Sequence, residues 1–234
     1  CEQAVQPARR PVRRCHEDFY GASNSELSVV GDFDPDRIIK LATELFGDWK
    51  SPKPYTRIPY RVPEVTPLAR TIETPDKANA VLRAGLAVRM RDDNPDYPAM
   101  VLANYLLGGS PDARLARRIR EKEGLSYSVG SFFSVGTQDE RSDFGISAIY
   151  APQNRDRVQR AIMEELRRAL DEGFDKAEVD AAKIGLLQAR QLARSQDGAL
   201  AGRLLSYLVV GRTFEWDAAL EKRITELTPK DVQE

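Results

Sequence analysis

Apolar positions change period several times along the chain, and each change marks an element. Glu26-Leu27-Ser28-Val29-Val30-Gly31-Asp32 reads as a strand. Asp34-Pro35 then caps a helix whose Ile38, Leu41, Ala42, Leu45 and Phe46 recur at helical spacing up to Gly47. Between Ser51 and Pro67 stand Pro52, Pro54, Pro59, Pro63 and Pro67, a connector in which regular helix cannot form. Beyond it, 70–74 and 78–90 read as strands. Asn94-Pro95 starts a helix with Tyr97, Val101, Leu102, Tyr105 and Leu106 on its buried face, ended by Gly108-Gly109. Ser110 and Pro111 are placed to open the next helix, Leu115 and Ile119 give it an apolar pair, and Gly124 suits a left-handed C-terminus.

Alternation returns in Leu125, Tyr127, Val129, Phe133 and Val135, which share one face of a strand, and 143–150 is a second strand of the same character. The remainder is helical. Val158, Ile162, Leu166 and Ala169 form a stripe ending at Gly173, and Asp175 with Glu178 makes a capping box for the helix that follows. Further helices are expected over 200–209 and 214–227, and Thr228-Pro229-Lys230-Asp231 reads as a cap and first turn. The reading predicts an arm or linker over 1–15, a strand–helix unit with a proline-rich connector over 16–67, and a larger domain over 68–234 whose end looks truncated. Residues 25–47 are expected to sit against the sheet of that larger domain. The fold class is α+β, a twisted, mainly antiparallel sheet with helices packed on one face.

Composition narrows the function more than the fold. With 41% hydrophobic and 30% charged residues, the 234-residue chain has enough apolar material for a core. Lys and Arg number 35 against 36 Asp and Glu, so there is no net field to attract nucleic acid or an anionic membrane. No apolar run approaches the length of about 20 residues that a membrane-spanning helix requires. Cys1 and Cys15 both fall in the arm, where a bridge would close only a short loop, so they read as incidental.

His16 is the single histidine, and Glu17-Asp18-Phe19-Tyr20 follows it. A second imidazole is therefore missing from any H-x-x-E-H arrangement, and the chain carries no zinc site of that kind. Asp92-Asp93 and Glu164-Glu165 read as solvated carboxylates. Arg114, Arg117, Arg118, Arg120 and Lys122 read as a solvated helix face, because no aromatic residues interleave with them as nucleic-acid binding would require.

The segment Gly108-Gly109-Ser110-Pro111, the helix ending Arg120-Glu121-Lys122-Glu123-Gly124-Leu125 and the following Tyr127-Ser128-Val129 resemble the pitrilysin/insulinase family, which includes the mitochondrial processing peptidases. Phe19-Tyr20-Gly21 and Val29-Val30-Gly31-Asp32-Phe33-Asp34-Pro35 extend the resemblance loosely. It implies a non-catalytic half of a zinc endopeptidase, with no catalytic and no metal-binding residue in this chain. It further implies that Arg120 and Tyr127 bind peptide substrate, that Gly108 and Gly109 form a turn lining a chamber, and that zinc lies on a partner domain bearing H-x-x-E-H, in the same polypeptide or another subunit. A guanidinium holds its charge while donating to peptide carbonyls, and a phenol can donate to an oxyanion. The residues alone leave two other readings open, a solvated Arg120 favoured by the helix dipole and a Tyr127 facing the core. Ala113 stands where the family often has serine. A periplasmic or secreted setting is the expected location. The alternative function is a catalytically silent structural or assembly subunit of the same fold.

Overall fold

Period-2 alternation at 78–90, 125–135 and 143–150 becomes three strands in the computed structural model, which describes residues 9–62 and 64–234. They are β1 (Ala80–Val88), β2 (Ser126–Ser134) and β3 (Ser142–Tyr150), in one antiparallel sheet of order β1-β3-β2. The register sets Leu82 and Val129 opposite Ala148, and Ala84 and Ser131 opposite Ile146, so these side chains share a face with Phe144 and Tyr150. Contacts divide the chain into two units, Cys1–Ile58 with Ala193–Thr213 and Pro59–Leu192 with Phe214–Glu234.

The sheet lies in the second unit, and one of its faces is covered by helices. These are α3 (Tyr97–Asn104), a π-helical turn over Tyr105–Gly109, a π-helical segment over Ala116–Lys122, α4 (Arg155–Asp171) and α5 (Lys176–Arg194). Leu102, Leu106, Leu115, Ile119, Val158, Ile162 and Val179 from the helices meet Ile146, Ala148 and Tyr150 from β3 in one buried cluster. Full burial of a Leu, Ile or Val side chain contributes about 1.5–3 kcal/mol, so this cluster is the main source of the unit's stability. On the opposite face Val81, Phe132 and Ile149 remain exposed. The helices thus lie on one side, as the α+β pattern predicts.

Local signals account for most helix boundaries. Gly173, at φ +68°, ends α4 in the left-handed conformation. Asp175 and Glu178 then bond reciprocally, Glu178 N donating to Asp175 Oδ1 at 2.8 Å and Asp175 N donating to Glu178 Oε2 at 3.2 Å. After α7 (Phe214–Glu226), Thr228 and Asp231 form a capping box that starts the short α8 (Pro229–Gln233). Ser110 differs from expectation. Ala113 N donates to Ser110 O at 3.2 Å, so Ser110–Ala113 is a turn and helix begins only at Arg114.

In the first unit, α1 spans Arg9–Phe19, α2 Pro35–Phe46 and α6 Asp197–Val210. Helix thus begins within the segment expected to be an arm, and Cys1 and Pro7 of that arm lie outside the described residues, as does Pro63 of the connector. Asp34 caps α2, accepting from Asp36 N at 2.9 Å and Arg37 N at 3.3 Å. The strands expected over 26–32 and 70–74 are absent. Both segments run as irregular chain, and neither contributes a strand. No helix among the described residues is long and apolar enough to cross a membrane.

Candidate functional site

Leu125 N donates to Ile119 O at 2.9 Å, turning the chain directly from the π-helical segment toward β2. Gly124 makes this turn at φ +61°, where a side chain would be strained. Within β2 the register slips between Ser126, opposite Tyr150, and Ser128, opposite Ile149, leaving Tyr127 as the extra residue of a bulge. Tyr127 is 90% exposed, so it does not face the core, and the alternation that grouped it with Leu125 and Val129 fails at this point. Ser126 is buried instead, its Oγ 2.7 Å from Ile149 O and 2.8 Å from Ser128 O.

Arg120 occupies the last turn of the π-helical segment. Its Nη2 donates to Pro111 O at 3.3 Å and to Glu121 Oε1 at 2.9 Å, and the side chain is 43% exposed. Arg114, in the helical turn just before this segment, and Arg118 within it fasten it to the helices behind. Arg114 Nε and Nη2 donate to the Glu178 carboxylate at 2.9 and 2.6 Å, Nη2 also donates to Gly173 O at 2.9 Å, and the guanidinium stacks 4.3 Å from the Phe174 ring centroid. Arg118 donates to Glu123 at 2.9 Å, to Glu165 at 3.1 Å and to Glu164. These carboxylates raise the Arg118 pKa. The expected solvated basic face is therefore corrected at Arg114, which is buried. The solvated carboxylates are corrected at Asp92 and Glu165, both buried, the latter drawn inward by Arg118.

Arg120 and Tyr127 line one open groove of about 760 Å³ at the end of the sheet. Asn79, Ser126, Ser128, Val129, Ile149 and Asn154 also contribute to it. Asn154 Nδ2 donates to Leu125 O at 3.3 Å, across a sequence separation of 29, which ties the start of α4 to the turn carrying Tyr127. No local motif marks either asparagine. Asn154 reads as an ordinary residue ahead of a helix, and Asn79 as part of a strand.

Gly108 and Gly109 end the π-helical turn and are not among the groove's lining residues. A Cβ on Gly108 would stand 2.4 Å from Ser131 N, and one on Gly109 would stand 2.7 Å from Asn104 Nδ2. Ser131 Oγ closes the same junction, donating to Asn104 Oδ1 at 2.8 Å. Close approach of this turn to β2 explains Gly108, and the Asn104 side chain and carbonyl explain Gly109. His16 is exposed on α1 and stacks on Tyr20 with centroids 4.8 Å apart. Among the described residues, no group of three or more His, Cys, Asp or Glu side chains could hold a metal ion. The α3 sequence, Tyr97 to Asn104, contains neither His nor Glu.

An uncharacterized zinc protease of Streptomyces coelicolor is 28% identical to this chain, over 95% of the chain and 49% of the relative. The chain therefore spans about half the length of that relative. Among solved structures, a peptidase M16 inactive domain from Pseudomonas fluorescens shows 25% identity and a TM-score of 0.56, covering 66% of this chain and 36% of that one. A protease from Helicobacter pylori shares the fold with a TM-score of 0.72 at 21% identity, over 87% of this chain and 49% of the other. Residues 9–186 match the family described as the peptidase M16 inactive domain. With that match spanning most of its length, the chain belongs to the peptidase M16 inactive domain family, whose members here are zinc proteases of the pitrilysin/insulinase kind.

Proposed function

We propose that this chain is the substrate-holding, non-catalytic half of a zinc endopeptidase, completed by a domain that bears H-x-x-E-H in the same polypeptide or another subunit. The observation that carries the reading is the shared groove. Arg120, from a helical end, and Tyr127, from a strand bulge, are both presented to solvent along one cleft, and neither is used up in the core. In the assembled enzyme Arg120 would donate to the carbonyls of a bound peptide, fixing its register. The Tyr127 hydroxyl would donate to the oxyanion that forms when metal-activated water attacks. Zinc would be held by the partner domain and would supply the activated water. Gly108 and Gly109 would belong to the wall of the chamber. The same reading places the complete enzyme in a periplasmic or secreted setting, which fractionation with an antibody against this chain tests.

In the complete enzyme, Tyr127→Phe is expected to lower peptide turnover about 10²-fold, as loss of an oxyanion donor does, and Arg120→Ala is expected to lower kcat/KM. Zinc content should be unchanged in both. Turnover equal to that of the parent enzyme in both variants overturns the assignment and leaves the silent assembly subunit as the better reading.

A further inference from the structure

The groove has a marked charge character. Arg120 is the only charged side chain among its lining residues, and Asn79, Asn154, Ser126, Ser128 and Tyr127 supply neutral polar groups. The carboxylates beside Arg120 in sequence are committed or weakly held. Glu123 is engaged by Arg118 at 2.9 Å. Glu121 meets Arg120 at 2.9 Å, but both side chains are about half exposed, at 50% and 43%. An ion pair between exposed neighbours contributes little, and a carboxylate approaching along the groove can replace it. Both hydrogen bonds recorded for the Arg120 guanidinium use Nη2, which leaves donors on Nε and Nη1. Nε and Nη1 lie on different edges and each can hold one carboxylate oxygen, and a two-oxygen fork forms when the incoming carboxylate displaces Glu121 from Nη2. Flanking this cation are Val129, Ile149 and the exposed Tyr127 ring, an apolar surface on which neighbouring side chains of a peptide can lie.

We propose that the groove selects peptide segments carrying a carboxylate, seated on Arg120, with apolar residues on either side. The proposal rests on the peptide-holding reading above and adds to it a sign of charge. A cationic side chain placed at the same point would meet Arg120 with no groove carboxylate to offset it.

Binding of labelled hexapeptides to the full chain, followed by fluorescence anisotropy, tests this. The probes are acetyl-Val-Ser-X-Val-Ser-Val-amide with X as Glu, Gln or Lys, and the Gln peptide with a free C-terminal carboxylate. The Glu peptide is expected to bind about three- to ten-fold more tightly than the Gln peptide, with Lys weakest. The free-acid arm distinguishes a terminal from a side-chain carboxylate, because whichever source fits the groove shows the gain. The preference should disappear in Arg120→Gln, persist in Arg120→Lys and in Tyr127→Phe, and shrink with added salt. Equal affinity for all four probes overturns the charge selection while leaving peptide holding intact. Failure of every probe to bind overturns the peptide-holding reading itself.

Discussion

Arg114 is a buried cation whose partners define the chemistry behind the groove. Hydrogen bonds from Arg114 hold the Glu178 carboxyl down at about 2 against an ordinary 4.5. Burial opposes the shift, and the Asp175 N–H and the charges of Arg114 and Arg117 reinforce it. Because the folded-state value is the lower one, the contribution of Glu178 to stability is complete above pH 4.5 and is lost as pH falls through about 2. Glu178→Gln leaves Arg114 buried without its counter-ion, and at neutral pH a loss of about 3 kcal/mol is expected from urea unfolding. The gap between parent and variant should narrow steadily as pH falls from 4.5 toward 2, since the parent carboxyl then becomes neutral as well. A gap independent of pH would show that Glu178 acts through packing alone.

At the scale of elements, the sequence revealed whatever depended on near neighbours. Helices α4, α5 and α7 follow their apolar stripes, and the Asp175–Glu178 and Thr228–Asp231 caps sit where the residue types required them. Strand alternation at 26–32 and 70–74 could not specify the partner that such segments need, and among the described residues no strand pairs with either. Arg120 and Tyr127 were legible only through a family motif. Their meeting in one groove depends on a bulge that no alternation reveals and on the long-range bond from Asn154 to Leu125. The glycines separate two physical causes. Gly108→Ala drives a Cβ to 2.4 Å from Ser131 N and 2.9 Å from Leu115 Cδ1, so β2 or the turn must shift. Gly124→Ala meets nothing within 4 Å and carries only the strain of φ +61°. Thermal unfolding should register Gly108→Ala as the larger loss, about 2–3 kcal/mol, with Gly124→Ala near 1 kcal/mol. The reverse order would mean that the turn yields easily and that close packing against β2 does not determine residue 108.

Across the whole molecule, burial is shared very unequally between the two units. Among the described residues, every buried apolar side chain apart from Tyr207 belongs to Pro59–Leu192 or Phe214–Glu234. In the other unit Ile39, Leu41, Leu45 and Phe46 of α2 are exposed, as are Leu27, Val29, Phe33 and Trp49 beside it. An amphipathic helix draws most of its stability from the surface it covers, and an isolated helix of 12 residues is marginal in water. The Asp34 cap contributes on the order of 1 kcal/mol, too little to hold such a helix unaided. Amide hydrogen exchange on the chain should therefore show α2 opening with a free energy close to zero, while amides around Leu102, Ile119, Val158 and Val179 open only with global unfolding. If the proposed catalytic half covers these residues, its binding should strongly protect the same α2 amides and change the slow core little. Equal protection of α2 and α4 in the chain alone would count against this division, and its dependence on protein concentration would identify self-association as the source of the cover.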